Sequence, residues 1–126
     1  DILLKPTLIY VKTIQRFIDK FEIKAISHIT GGGIVENLAR VLPKNNGAEI
    51  LLAKLDLFRK NSIFNWLNQN CKLSQKEMLK TFNCGIGMIL IIKGKDLEQI
   101  RTFSKKIKQP VKLLGKVTEK KSIIFT

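Results

Sequence analysis

Hydrophobic and polar positions alternate along this chain with two distinct periods. From Pro6-Thr7 onward, Tyr10, Val11, Ile14, Phe17, Ile18 and Phe21 recur at the spacing of one helix face, and Lys12, Gln15, Arg16, Asp19 and Lys20 fill the other. Ile23 to Ile29 changes to a period of two, with Ile23, Ala25, Ser27 and Ile29 on one side and Lys24, Ile26 and His28 on the other, which predicts a strand. Three glycines follow, and Ile34 to Leu42 predicts a helix stopped by Pro43. Asn45-Asn46-Gly47 is a turn signal, Ala48 to Leu55 a predicted strand and Phe58 to Ser62 a loop. Ile63 to Asn70 is a short helix that offers Phe64, Trp66 and Leu67 to a core.

Ser74 and Glu77 have the spacing of a capping box, in which each side chain satisfies the other's free backbone donor, and they open a helix through Leu79. Gly85 to Ile92 is apolar and β-branched, as in a strand buried on both faces. Lys93-Gly94-Lys95 turns the chain into a helix that Asp96 and Gln99 can cap, with an inner face of Leu97, Ile100, Phe103 and Ile107 and an end at Pro110. Val111 to Val117 and Ser122 to Phe125 predict two closing strands. Strands interleaved with helices predict an α/β (α+β layered) domain, a mixed sheet with helices packed on it.

Composition narrows the function classes. A chain of 126 residues fits one domain, residues 1–126, with enough length for a core. It begins Asp1-Ile2-Leu3-Leu4-Lys5 without a methionine, which suggests a piece of a longer protein. The longest apolar run, Ile86 to Ile92, is far below the roughly 20 residues of a membrane span. Lys plus Arg is 23 against 10 acidic residues, a net charge of +13. That charge raises nucleic acid as a partner, but only Arg16, Arg40, Arg59 and Arg101 are arginines, and the lysines are spread along the chain as on a solvated surface. Cys71 and Cys84 form no C-x-x-C motif and His28 is the sole histidine, so no multi-histidine zinc site can form and no metal ligands are assigned. Cysteine usage fits a reducing, cytoplasmic setting.

Candidate chemistry centres on His28-Ile29-Thr30-Gly31-Gly32-Gly33-Ile34-Val35-Glu36-Asn37. A strand ends, glycines turn and a helix begins. Glycines let the backbone approach a ligand, and free N–H groups at a helix start favour an anion. The run is neither a Walker A loop nor G-x-G-x-x-G, and a tight turn that binds nothing is the alternative. Asn37 can donate to a phosphate or a ribose. Glu36 can hold a metal or an amine, or complement the helix start; Arg40 can reach a phosphate or pair with Glu36 at i, i+4. His28 stands beside the loop as a catalytic candidate or as a hydrogen-bonded structural residue.

The second segment is Thr81-Phe82-Asn83-Cys84-Gly85-Ile86-Gly87-Met88. Gly85 and Gly87 open space for a ligand or a packed backbone. Asn83 is its polar contact candidate, and Cys84 reads as a buried structural cysteine rather than a nucleophile.

Together with Pro6-Thr7-Leu8-Ile9-Tyr10-Val11-Lys12, Arg40-Val41-Leu42-Pro43, Phe64-Asn65-Trp66-Leu67 and Glu77-Met78, these two segments resemble the phosphoribosylformylglycinamidine cyclo-ligase (aminoimidazole ribonucleotide synthetase) family, nearly end to end and in order. The resemblance is to the C-terminal domain of a two-domain synthetase. It implies a layered α/β fold with ferredoxin-like elements, a cleft between the two domains, and a homodimer built mainly through the N-terminal domain. The implied reaction is ATP-dependent ring closure of formylglycinamidine ribonucleotide in purine biosynthesis, with Mg2+ accompanying ATP and both held mainly by the N-terminal domain. Carried across, Thr30, Gly31, Gly32, Gly33, Glu36 and Asn37 line the cleft and meet substrate or ATP phosphate. Arg40, Asn83 and His28 are secondary candidates, His28 as the catalytic one. Gly32→Val is then expected to abolish activity with little loss of stability. Neither nucleic acid nor membrane is implied as a partner. The rival readings are a thiamine-monophosphate kinase-like or selenophosphate synthetase-like relative, against which Phe82-Asn83-Cys84-Gly85 argues, and a small basic RNA-binding domain.

Overall fold

Helix and strand alternate as the periodicity predicts, in the order α1 (Val11–Ile18), β1 (Ile23–His28), α2 (Gly33–Ala39), β2 (Gly47–Ile50), α3 (Ile63–Asn70), α4 (Gln75–Thr81), β3 (Met88–Ile92), α5 (Leu97–Lys106), β4 (Gly115–Thr118) and β5 (Ile123–Phe125). The structure is a computed structural model that describes residues 4, 6–55 and 62–126. Most of the expected 58–62 loop and of the opening 1–5 segment therefore lie outside the described residues. The fold class is α+β. Its strands form a two-stranded sheet, β1–β3, and a mixed three-stranded sheet in the order β4-β2-β5. No helix among the described residues is long and apolar enough to cross a membrane.

The chain forms two compact units, one of residues up to Ile26 with Leu90–Lys112, the other of Ser27–Ile89 with Leu113–Thr126. In the first, the inward series of α1 ends in an aromatic cluster. Phe17 is buried and meets Phe103 edge-on at 5.4 Å, and Phe21 meets Phe103 at 5.5 Å. Lys20 Nζ caps the Phe103 ring at 4.8 Å from its centroid. Val11 and Ile18, expected on the buried face, are exposed. At 3.6 residues per turn the stripe through Tyr10, Ile14, Phe17 and Phe21 leaves both at its border, roughly a quarter-turn away. On α5, Ile100 is buried, and the buried Ser104 hydroxyl donates to Arg101 O at 2.9 Å. Glu22 pairs with both Lys24 and Lys93, whose ammonium groups hold its carboxyl down at about 2 and which raises Lys93 in turn.

In the second unit β2 is central to its sheet, antiparallel to β4 and parallel to β5. The row Lys116–Glu49–Ile124 faces one way, with Lys116 Nζ 2.9 Å from Glu49; Ala48 and Ile50 on the other face are buried. β2 is shorter than the predicted 48–55. Leu51 and Leu52 N–H still reach Leu114 O and Thr126 O, and the backbone then turns through Leu52–Lys54. β3 is also shorter than the predicted 85–92, because residues 83–85 form a tight turn, and its residues are half-buried rather than buried on both faces. Trp66 is exposed, whereas Phe64 and Leu67 are half-buried. The predicted capping box forms on α4. Ser74 N–H donates to Glu77 Oε2 at 2.8 Å and Glu77 N–H to Ser74 Oγ at 3.3 Å, which lowers the Glu77 carboxyl. Such a cap stabilises a helix by ~1 kcal/mol. Ile29, Ile34, Leu38, Met78, Leu79 and Cys84 are buried in this unit and carry the loop described next.

Candidate functional site

The glycine run joins β1 to α2, and its three residues do different jobs. Gly33, at φ +61°, lies where α2 crosses α4, and a Cβ there would overlap the Leu79 carbonyl oxygen. Its glycine is a packing requirement. Gly32, at φ +91°, is covered by Glu36, whose Oε2 a Cβ would overlap. At Gly31, among the described residues, no atom beyond its chain neighbours lies within 4 Å of where a Cβ would stand. The loop is therefore closed at its helix end and open at Gly31. This corrects the expectation for Gly32→Val, since a β-branched residue at positive φ is strained before any ligand is considered.

Asn37 holds the loop in shape. It is 5% exposed, and its Nδ2 donates to Gly33 O at 2.8 Å, Gly31 O at 3.1 Å and Thr30 O at 3.4 Å. Its Oδ1 accepts from Arg40 Nη1 at 3.1 Å and from Thr30 Oγ1 at 3.5 Å. The amide draws three loop carbonyls inward. Because its donors are engaged there, Asn37 shapes the loop. Arg40 also pairs with Glu36 at 3.4 Å, but both side chains are well exposed, so this pair contributes ~0–1 kcal/mol. The Glu36 carboxylate above Gly32 disfavours an anion at that point, which leaves the Gly31 end as the loop's accessible face.

That end opens on a cleft of about 320 Å³. Ile29, Thr30 and Gly31 form one wall. Thr81, Phe82 and Asn83 form another, and Phe64 from α3 completes it, its ring 6.3 Å from that of Phe82 and tilted by 54°. Asn83 Oδ1 accepts from Gly85 N–H at 3.0 Å, and Asn83 O accepts from Ile86 N–H at 2.9 Å, so the residue both shapes its turn and faces the cleft. The turn needs left-handed backbone at Cys84 (φ +50°) and Gly85 (φ +87°). Gly87 O accepts from Ile29 N–H at 2.9 Å, which fastens the two segments to each other.

Of the residues singled out from sequence, Thr30, Gly31 and Asn83 share the cleft. Gly32, Gly33, Glu36, Asn37 and Arg40 form the hydrogen-bonded base of the loop behind it. His28 is exposed at the end of β1 and does not line the cleft. Sequence reasoning missed Phe64 and Phe82, whose helical spacing reads as core. Cys84 is buried, its Sγ donates to Met78 O at 3.5 Å, and burial pushes its thiol up to about 11, as fits a structural cysteine. Among the described residues no three His, Cys, Asp or Glu side chains gather as a metal site.

Residues 1–126 match the family described as AIR synthase related protein, C-terminal domain. The chain is 41% identical over 120 residues to the phosphoribosylformylglycinamidine cyclo-ligase of Neisseria gonorrhoeae, covering 95% of this chain and 34% of the relative. It is 42% identical over 122 residues to the protein of the same name from Nitrosococcus oceani, covering 97% and 33%. To that of Bacillus cereus strain AH187 it is 37% identical over 123 residues, covering 98% and 35%. The chain thus spans about a third of the length of the curated relatives it matches.

Proposed function

Because the chain belongs to the AIR synthase related family as its C-terminal domain, we propose that it is one domain of a phosphoribosylformylglycinamidine cyclo-ligase. The reaction is ATP-dependent ring closure of formylglycinamidine ribonucleotide to aminoimidazole ribonucleotide. ATP phosphorylates the formyl oxygen, an internal nitrogen attacks that carbon, and phosphate leaves with the oxygen as the imidazole forms. The observation that carries this reading is the match to proteins of that name over at least 95% of the chain, through both the glycine loop and the cleft segments.

Within that reaction the chain's own residues bind and position. The Gly31 end of the loop offers backbone N–H groups and the Thr30 hydroxyl to a substrate or nucleotide phosphate. Asn37 keeps the loop carbonyls turned away from that anion, and Arg40 adds positive charge beside it. Asn83 can donate from its amide nitrogen to a ligand in the cleft. Glu36 and His28 flank the loop, and His28 remains the candidate for proton transfer. Among the described residues no three His, Cys, Asp or Glu side chains gather to hold magnesium; ATP and Mg2+ are held mainly by the part of the protein outside this chain. The whole protein works in the cytoplasm as a homodimer on small molecules, with neither nucleic acid nor membrane as partner.

The test uses the whole protein that carries this chain. ADP release from ATP is followed with and without formylglycinamidine ribonucleotide. Release that requires the ribonucleotide supports the assignment. Release that ignores it, or none from folded protein with magnesium, removes it.

A further inference from the structure

Asn45-Asn46-Gly47 leads from a turn into β2, and the sequence holds no other Asn-Gly pair. Asparagine before glycine carries a chemical liability. The backbone nitrogen of the second residue can attack the side-chain amide carbon of the first. A glycine has no Cβ to hinder that approach and leaves the backbone free to turn into it. Here packing imposes the glycine. Gly47 is buried, and a Cβ there would lie 1.9 Å from Ser122 O and 2.3 Å from Lys120 O. The same fold restrains the reaction. Asn46 N–H donates to Pro43 O at 2.9 Å, and Asn46 Nδ2 donates to Thr118 O at 3.2 Å. Gly47 is paired with Thr118 in the antiparallel β2–β4 ladder, and further along it Leu51 N–H donates to Leu114 O at 2.9 Å. Antiparallel ladder bonds recur at every second residue, so the Gly47 N–H is aimed at Thr118 as well. The attacking nitrogen and the amide it would attack are thus tied to one residue of β4, and β4 is an edge strand of its sheet.

We propose that Asn46 is a site of spontaneous deamidation that β4 keeps closed, and that its conversion loosens β4. The inference stands on the fold alone and does not depend on the cyclo-ligase reading. When β4 lifts from β2, the Gly47 nitrogen forms a bond to Asn46 Cγ and gives up its proton, and the Cγ–Nδ2 bond breaks to release ammonia. The cyclic imide then takes up one water at either of its carbonyls, which leaves aspartate or isoaspartate at position 46. No oxidant or cofactor is consumed. Either product ends the restraint. Aspartate sets a carboxylate oxygen where Nδ2 donated to Thr118 O, so two acceptors oppose each other. Isoaspartate also inserts a backbone atom ahead of Gly47, which the close contact with Ser122 O and Lys120 O cannot absorb. An opening of β4 that ends in conversion is therefore recorded in the chain.

The test uses the whole protein that carries this chain, aged at neutral pH in the folded state and, in parallel, unfolded in guanidinium chloride. Trypsin frees residues 45–54, between Lys44 and Lys54, and fragment masses read conversion at Asn46. Digestion in heavy-oxygen water marks any conversion that occurs during digestion. Asn46 is expected to convert in the unfolded chain and about tenfold or more slowly in the folded protein, because the reaction passes through an opened β4. Lys116→Pro removes one N–H from the β2–β4 ladder, whereas Lys116→Ala removes only the ion pair with Glu49. The first is expected to raise the folded-state rate about tenfold and the second to leave it within about twofold, with melting curves verifying that each is folded. Asn46→Asp is expected to speed hydrogen exchange at the amides of residues 115–118 about tenfold. Equal rates in the folded and unfolded protein overturn the shielding by β4, as does a folded Lys116→Pro variant that converts at the parental rate. No conversion at Asn46 in the unfolded chain removes the site, and unchanged exchange in Asn46→Asp removes its effect on β4. If Lys116→Pro does not fold, the comparison of folded with unfolded protein decides the shielding by itself.

Discussion

Replacing Asn37 separates a loop held by amide donors from one held merely by packing. Asn37→Ala removes two well-formed bonds to Gly33 O and Gly31 O, at 2.8 and 3.1 Å, and the acceptor for Arg40 at 3.1 Å. Each intramolecular bond contributes ~0.5–1.5 kcal/mol net, and the bond to the exposed Arg40 side chain belongs at the low end. The expected loss is about 2–3 kcal/mol, a fall in Tm on the order of 10 °C for a chain of this length. Asn37→Asp sharpens the argument. It keeps the shape and the Oδ1 acceptor but replaces the donors with a carboxylate oxygen facing carbonyls of Thr30, Gly31 and Gly33. At pH 7 it is expected to cost at least as much as alanine, because like partial charges meet in a site that is 5% exposed. Urea unfolding of the three proteins under one condition is the assay. An Asn37→Asp variant within about 0.5 kcal/mol of the parent would refute the claim that donors from Asn37 hold the loop.

Further outcomes follow from single contacts. Gly33→Ala is expected to cost ~1–2 kcal/mol for left-handed backbone and more for the overlap with Leu79 O, whereas Gly31→Ala leaves the thermal midpoint within a few degrees; equal melting temperatures would contradict the division of labour in the loop. With a thiol reagent at pH 8, the exposed Cys71 reacts in the native protein and Cys84, held up at about 11 by burial, reacts only on unfolding. Titration of both at one rate would count against a buried Cys84. Glu22 has its folded pKa lowered from 4.5 to about 2 by hydrogen bonds from Lys24 and Lys93, so its stabilisation is full above 4.5 and is lost as pH falls through 2. Glu22→Gln should therefore flatten the acid side of the stability profile within that window; identical profiles would show that the pair contributes nothing in solution.

The features legible in the sequence are those decided within a few residues. The bounds of α3, Ile63–Asn70, agree with the predicted helix, and Ser62, read from sequence only as the end of a loop, caps it by accepting from Asn65 N–H at 3.0 Å. The capping box of Ser74 and Glu77 likewise depends on local spacing. Features set by what lies across a contact were not legible. Three identical glycines read alike in sequence, yet Leu79 lies against one, Glu36 over another and open space beside the third. Phe64 lines the cleft only because α3 is brought to Thr81 and Phe82, 17 and 18 residues further along the chain. The parallel partner of β2 also comes from far along the chain, so neither the mixed sheet order nor the strand lengths that its partners permit could be read from alternation alone. Val11 and Ile18 have the right spacing for a buried face but lie at the border of a narrower one.

The measurement that tests the central claim most directly follows one oxygen atom. Formylglycinamidine ribonucleotide labelled with heavy oxygen at the formyl group is incubated with ATP, magnesium and the whole protein that carries this chain. The account predicts one ADP per imidazole formed, with the label in the released phosphate and a product lighter than its precursor by one labelled water. Label that stays with the nucleotide, or phosphate release without ring closure, would contradict the assignment of this chain to a cyclo-ligase.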